Sequence, residues 1–577
     1  MFESLVPAAA TLERVRIHID GTPHDVPAQY SVAAAMLAAG SAACRTSAVS
    51  GAPRGPFCMM GVCFDCLVEI DGVPNVQGCM TPVAEGMQVR AMHGKARLGM
   101  TRRQCDLLIV GAGPAGMAAA IAARTAGLSV VVADEGRAPG GQIYRNVADA
   151  PAPLAQWLGA DYTAGRPLVD GLLASGAHYL PRSVVWQVAF EPTPVAMLTQ
   201  SGPSRGTLEI GARAVLIATG AQERPWPVPG WTLPGVMGVG AAQTLLKASG
   251  LAPSADAVLA GSGPLLWLFA AQLLNAGRRV RALVDTTPRD AWRRALPHAL
   301  PALRGVDYLL KGWRMLRAVR DAGIPVYRGA TDIRIDGDDR AERIRFRDAE
   351  GVVQALDTSL VLLHQGVIPS TQLARALGCA HEWDEASACW RPQRDARGRS
   401  SVPHVWIAGD GAGIGGAQAA ALAGEVAALD IARQLGALDA QRQAARERPV
   451  LRAWRRHLAV RPLLDALYTP PAALRRPDDD TIVCRCEEVT AGEIRQLAAL
   501  GCQGPNQMKA FTRCGMGPCQ GRWCGTTVGE LIADVQQRGV GDVGHYRIRA
   551  PIKPVTVGEM ADALELSNDF QRGEFPS

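Results

Sequence analysis

The chain has 577 residues, too many for one hydrophobic core, and that length predicts three to four domains. With 48% apolar residues, 20% charged residues and a net charge of +6, it reads as an ordinary globular protein. No basic stripe interleaved with aromatics argues for nucleic acid. No run of about 18 apolar residues predicts a transmembrane helix, and the opening MFESLVPAAATLERVRIHID lacks the pattern of a signal peptide. Fourteen cysteines without an export signal point to a reducing compartment and to metal rather than disulfides.

Residues 13–30 alternate apolar and polar around Asp20-Gly21, which predicts a β-hairpin. SVAAAMLAAG reads as a short helix and LVEIDGVPNVQ as a second hairpin, so a small β-rich domain is expected over residues 1–98. Inside it Cys58, Cys63, Cys66 and Cys79 are spaced C-x4-C-x2-C-x12-C. A [2Fe–2S] cluster needs four thiolates, and this pattern supplies three from one loop and one from a nearby strand. Gly55 and Gly61 lack a Cβ and let the loop close on a cluster. A zinc site is the alternative, for which the C-x4-C spacing and the apolar Met59, Met60 and Val62 are a poor match. Cys44 and Cys105 fit no ligand spacing and read as buried small residues.

From Cys105 the pattern becomes strand, turn, helix, strand: CDLLIV, GAGPAG, MAAAIAARTAG and SVVVADE. Gly111, Gly113 and Gly116 form G-x-G-x-x-G in the context the motif requires, placing a pyrophosphate at the positive end of a helix. An acid closing the second strand should take the ribose hydroxyls. Asp134 is in register, and Glu135 follows it. A second unit starts at AVLAGSGPLL, giving two nested nucleotide folds over residues 103–440, the second spanning about 226–370. There Gly261 and Gly263 are present, but Leu266 replaces the third glycine, and Asp285 ends the next strand one residue out of register. That fold is expected to hold NAD(P), another adenine nucleotide, or nothing. Arg278, Arg279 and Arg281 could meet a phosphate, with an exposed helix end as the commoner explanation. No C-x-x-C or C-x4-C pair lies near either turn, which disfavours a disulfide reductase.

Residues 441–480 read as a helical spacer and linker, 481–535 as a small helical cysteine module, and 536–577 as an extended, proline-bearing tail. Cys484 and Cys486 precede a helix whose Thr490 and Glu493 make a capping box. Cys514, Cys519 and Cys524 follow at equal spacings. Four ligands suffice for a second [2Fe–2S] cluster, so one of these three is spare, and structural zinc is the alternative. Cys502, Cys379 and Cys389 look incidental.

Several segments resemble known families. VLIATG, with Thr219 and Gly220, resembles the Ala-Thr-Gly strand end of two-dinucleotide, glutathione-reductase-like flavoproteins. VWIAGDGAG, with Gly409 and Asp410, resembles their late Gly-Asp motif, which implies an FAD contact for Asp410; a helix N-cap is the plainer reading of that residue. PGGQIYR, with Gly141 and Gln142, fits their loop beside the flavin. The N-terminal cysteine run resembles the ferredoxin-like, β-grasp-like [2Fe–2S] domain of sarcosine-oxidase-like large subunits. The C-terminal one resembles the bacterioferritin-associated-ferredoxin-like (BFD-like) [2Fe–2S] module, which implies Cys519 and Cys524 rather than Cys514 as partners of Cys484 and Cys486.

GGQIYR, GSGPLL, CRCEEVT and GMGPCQGRWC together resemble the large subunits of bacterial multi-subunit amine and amino-acid dehydrogenases: opine oxidases, hydroxyproline and proline dehydrogenases, and hydrogen cyanide synthase. The resemblance implies an α/β flavoprotein with FAD and two [2Fe–2S] clusters. It implies a hetero-oligomer with a D-amino-acid-oxidase-like flavin subunit that oxidises the C–N bond, and a quinone- or cytochrome-linked acceptor. A cytoplasmic location is expected, with any contact to the inner membrane made through partners. A substrate base is not evident. His364 in LLHQGVIPS is the best candidate, against the commoner reading of a satisfied histidine at a strand end, and His404 and His93 are weaker. The competing expectations are a self-sufficient NAD(P)H-dependent FAD reductase and a non-enzymatic iron–sulfur scaffold.

Overall fold

The computed structural model describes residues 13–47, 52–60, 65–92, 102–190, 192–201 and 206–557. The chain divides into two compact units, one built on residues 1–101 and the other on residues 102–205 and 209–555.

In the first unit the two hairpins expected from the sequence form one sheet. Its strand order is Thr22–Pro27, Arg14–Ile19, Gln88–Ala91, Leu67–Ile70, Val73–Gln77. The alternation of Ile17, Ile19, Val68, Ile70 and Val89 puts these side chains on one face, where Val32, Ala35 and Met36 of the helix Val32–Ala38 cover them. Ser31 Oγ accepts the Ala34 amide at 3.3 Å and starts that helix. Cys44 is fully buried beside Met36 and is part of this core.

The second unit begins with a mostly parallel sheet. Strand Arg102–Val110 lies between Val130–Ala133 and Gly206–Ile217, and Val405–Ile407 pairs in parallel with the far side of the latter. The sheet is covered on both faces, so DLLIV, VVVA and AVLI are continuous apolar runs rather than alternating ones. Helices Pro114–Thr125 and Ala417–Gln434 pack on each other through alanine and glycine. A Cβ on Gly424 would lie 2.0 Å from the Ala115 carbonyl oxygen, so only glycine allows this approach. The second nucleotide fold has its own parallel sheet, ordered Val236–Gly238, Val361–Gln365, Val258–Ser262, Ala282–Asp285, Val326–Arg328.

The stretch expected as spacer forms helices Ala440–Leu458, Arg461–Tyr468 and Ala472–Arg475. The first is pinned to the core: Glu447 takes Arg397, and the neighbouring buried Asp430 takes Arg399 and the Trp406 indole N–H. The C-terminal module follows, with helices Ala491–Ala499, Pro505–Thr512 and Gly525–Gln536. The tail folds back on this module and on the first nucleotide fold. Asn506 and Lys509 donate to the His545 and Arg547 carbonyls, and the Ile552 amide donates to Trp186 O.

Candidate functional site

The strand Arg102–Val110 ends in a turn whose tightness demands glycine. Gly111 has φ +107°, and a Cβ on Gly116 would sit 1.8 Å from the Gly111 carbonyl oxygen. The GGQ loop lies directly on this turn. Gly140 N donates to Ala112 O at 2.8 Å, and a Cβ on Gly141 would come within 2.9 Å of Gly113 Cα. The helix Pro114–Thr125 starts here with its unpaired amides and positive end facing the cradle.

The two acids after the second strand separate in role. Asp134 is half-buried and accepts the Ala112 and Gly136 amides, both at 2.6 Å. Burial raises its pKa, and those two bonds oppose the rise. Glu135 lies on the rim and pairs with Lys553 Nζ at 2.9 Å. Thr219 Oγ1 donates to Ser370 O at 3.2 Å, and the Gly220 carbonyl accepts Ser370 N at 2.9 Å. Asp410 Oδ1 accepts the Gly415 and Gly416 amides just ahead of the helix Ala417–Gln434, whose N-cap is Gly416 and not Asp410. Gln142 Oε1 receives Arg145 and Thr244, and its carbonyl receives the buried Lys247 Nζ at 3.1 Å. Burial lowers Lys247 to about 7. A glycine turn with no room for side chains and an uncapped helix N-terminus fit the pyrophosphate of a dinucleotide such as FAD.

In the C-terminal module five thiols converge. Cys484, Cys514 and Cys524 are buried, with sulfurs all within 4.8 Å of one another. Cys486 and Cys519 have their sulfurs 3.7 Å apart nearer the surface. Two thiolates on a tetrahedral metal with bonds of about 2.3 Å lie about 3.8 Å apart, so this pair suits a single iron. Hydrogen bonds from Cys514 and Cys524 hold the Cys484 thiol down to about 2, and the contact with Cys484, aided by burial, pushes Cys514 up to about 12. Three such thiols cannot ionise together without a cation, which a metal centre would supply. Cys514, expected as the spare, therefore sits inside the buried group.

Tyr546 from the tail closes the site from below. Its ring fills the space over Gly515 and Gly521, where Cβ atoms would lie 2.6 and 2.3 Å from ring carbons. Its hydroxyl is buried and meets no partner at hydrogen-bond geometry, although it lies against Cys514 and Cys524. An orphaned donor aimed at thiols fits a cluster whose sulfurs accept it. Sequence reasoning missed Tyr546, and the only signal was the glycine spacing opposite it. The cysteine loop is also tied to the flavin cradle. Gln222, two residues after Gly220, donates to Arg522 O at 3.0 Å, and Gln372, two residues after Ser370, donates to Gln520 O at 3.2 Å.

The second nucleotide turn keeps its shape, with Gly261 at φ +135° and Gly263 at φ +121°, while Leu266 is fully buried core. His364 is the wedge beneath it: a Cβ on Gly263 would lie 3.3 Å from His364 Nε2. His364 is 1% exposed, with Nδ1 2.6 Å from Glu223 Oε1, and Glu223 also accepts the Gly240 amide. The best candidate for a substrate base is thus buried at a strand end and held through Nδ1 by a carboxylate partner. Asp285 accepts Thr287 N at 3.0 Å, and burial pushes its carboxyl up. Arg278, Arg279 and Arg281 are exposed beyond the helix Pro264–Asn275.

In the N-terminal unit Cys66 and Cys79 are adjacent, Cys79 N donating to Cys66 Sγ at 3.4 Å. Cys58 Sγ accepts the Met60 amide at 3.5 Å. A Cβ on Gly55 would meet Ala42 O at 2.1 Å, so glycine is needed there for the loop to pack on the backbone at Ala42. Cys63 and Gly61 lie outside the described residues.

Residues 13–94 match the family of 2Fe-2S iron-sulfur cluster binding domains, residues 105–424 match pyridine nucleotide-disulphide oxidoreductases, and residues 479–563 match the sarcosine oxidase A3 domain. The A subunit of opine oxidase from Rhizobium meliloti (strain 1021) is 47% identical over 80% of this chain and 99% of its own length. The HcnB subunit of hydrogen cyanide synthase from Pseudomonas aeruginosa is 34% identical over 78% of this chain and 96% of its own. Among solved structures, L-proline dehydrogenase from P. horikoshii superposes with a TM-score of 0.58 at 19% identity, covering 96% of this chain and 98% of that one. An oxidoreductase fold with FAD and an iron–sulfur cluster follows from these matches.

Proposed function

This chain belongs to the family of opine oxidase A subunits, and from that premise we propose that it is the electron-transferring flavin and iron–sulfur subunit of a multi-subunit amine or amino-acid dehydrogenase of the opine, hydroxyproline or glycine type. In this reading a D-amino-acid-oxidase-like flavin subunit oxidises the C–N bond, and electrons leave this chain to a quinone- or cytochrome-linked acceptor. The observation that carries it is the pair of hydrogen bonds from Gln222 and Gln372 that fix the cysteine loop to the segments flanking Gly220. Bound FAD would supply the exchange between paired and single electrons.

The chain's own residues position the carriers. Gly111, Gly113, Gly116 and Gly141 leave room for the pyrophosphate, and the amides opening the helix Pro114–Thr125 face it. Glu135 on the rim is placed for the ribose, while Asp134 braces the turn. Cys486 and Cys519 would hold one iron, and Cys484 with Cys514 or Cys524 the other. Cys58, Cys63, Cys66 and Cys79 would hold the N-terminal cluster. The partly exposed Cys486 and Cys519 give electrons a short route out of the module.

The intact shape of Gly261 and Gly263 favours a second reading, in which NAD(P)H binds there and the chain acts as a self-sufficient reductase. Anaerobic titration of the cluster-loaded protein with NADH and NADPH separates the two. We expect flavin and cluster absorbance to stay oxidised with either nucleotide and to bleach with dithionite. Prompt bleaching by a nicotinamide would sink the subunit reading.

A further inference from the structure

Between the strands Ala282–Asp285 and Val326–Arg328 of the second nucleotide fold, residues Ala291–Asp321 form a nearly unbroken helical ribbon: Ala291–Ala295, Leu296–His298, Ala299–Ala302, Leu303–Gly305 and Val306–Asp321. One face is anchored. Ala291, Ala295, Ala302, Gly305 and Val319 are buried, and Tyr308 bonds to His457 Nδ1 at 2.9 Å. The opposite face is apolar and open to solvent. Trp292, Leu296, Leu300, Leu303, Val306, Leu310 and Trp313 recur at helical spacing, and each is well exposed, Leu300 at 78% and Leu296 at 62%. Scattered exposed leucines need no explanation, but a contiguous ridge of this length does.

The charge around the ridge is one-sided. Residues 289–321 carry eight arginines and lysines against three aspartates. Arg293, Arg294, Arg304 and Arg314 meet no carboxylate among the described residues, and all four are exposed. Arg293 and Arg317 lie over the exposed Trp292 and Trp313 rings, at 5.7 and 5.4 Å from their centroids. A crest of leucine and tryptophan flanked by arginine is the chemistry of a helix lying in a bilayer interface. Association with a second copy would set like charges against each other. No helix among the described residues is long and apolar enough to cross a membrane, so the contact is one of lying on rather than spanning.

We propose that the ridge Trp292–Trp313 docks this chain directly on an anionic lipid surface, its leucines and tryptophans entering the headgroup boundary and its arginines pairing with lipid phosphates. This goes beyond the electron-transfer reading and stands on different residues. The test therefore reads lipid binding and not turnover, so the two can fail separately. The full-length, cofactor-loaded protein is floated with vesicles of phosphatidylcholine alone and of phosphatidylcholine containing phosphatidylglycerol. Flotation only with the anionic vesicles, weakened by salt, is expected. Arg304→Gln with Arg314→Gln should weaken it about thirtyfold. Leu300→Glu with Trp313→Glu should abolish it, while Leu251→Glu, at an exposed site elsewhere, leaves it unchanged. Both substituted faces point to solvent, so the fold is kept, which circular dichroism checks. Absence of flotation with either vesicle overturns the proposal, as does binding indifferent to the ridge variants. Loss of a co-purifying catalytic subunit in the Leu300/Trp313 variant, without any lipid binding by the wild type, overturns it in favour of a protein dock.

Discussion

The two nucleotide folds share an architecture and differ in what surrounds their glycine turns. The first turn is enclosed by the GGQ loop, braced by Asp134 and joined through Gln222 and Gln372 to the cysteine loop. The second is underpinned by the buried His364–Glu223 pair, its third glycine replaced by the core residue Leu266. A glycine turn is thus a property of the backbone, and what it serves is set by the neighbours recruited to it. The same fold can persist as scaffold after the groups that would use a ligand have changed.

The sharpest way to break this comparison is to fill each turn. Gly116→Val places side-chain atoms where the Gly111 carbonyl lies, and the variant should lose FAD affinity by about a hundredfold or more. The flavin-to-protein absorbance ratio after gel filtration reads this directly. Gly263→Val should keep its full complement of FAD, and equal flavin loss in both variants would erase the distinction between the folds. Next in size, Cys484→Ser should remove one of the two iron–sulfur signals by electron paramagnetic resonance while flavin content holds. Loss of both signals would mean that the two cysteine sets do not act separately.

Lys247 sits on the seam, carried by the helix Val239–Ser249 of the second fold and bonded to Gln142 of the first. Its folded pKa of about 7 lies below the unfolded value of about 10.4, so over that window the unfolded chain binds the extra proton and stability rises with pH. Lys247→Met removes this dependence. The melting temperature of the variant minus that of the wild type should fall as pH rises from about 7 to about 10. A constant difference across that range would show that the lysine keeps its proton when folded. The smallest effect is expected from Tyr546→Phe. Loss of one donor to cluster sulfur should lower that cluster's midpoint potential by about 40 mV in a dye-linked titration, with flavin content unchanged.

Local features were legible in the sequence. The glycine turns, the strand and helix after each, the capping box of Thr490 and Glu493 and the two hairpins around the N-terminal cysteines are set by neighbours a few residues apart. Spacing could not rank Cys514, Cys519 and Cys524, because each follows the last by the same interval. Their grouping depends on how the loop folds over Tyr546, far along the chain. Position put Asp134 in register for the ribose and Glu135 one residue beyond it, and what separates their surroundings is burial and the arrival of Lys553 from the tail. His364 drew attention as a polar residue at a strand end, and its partner Glu223, 141 residues away, gave no local sign.

The place of Tyr546 has a consequence for maturation. Its ring plugs the floor of the thiol group, yet it is translated after every one of those cysteines. A growing chain folds from its N-terminal side, so the sulfur loop stands open until the tail emerges and then shuts. Iron delivery and tail docking are therefore in competition for time. Chains released before Gly544 should leave Cys514 and Cys524 open to rapid iodoacetamide labelling, where the full chain, once loaded, resists it.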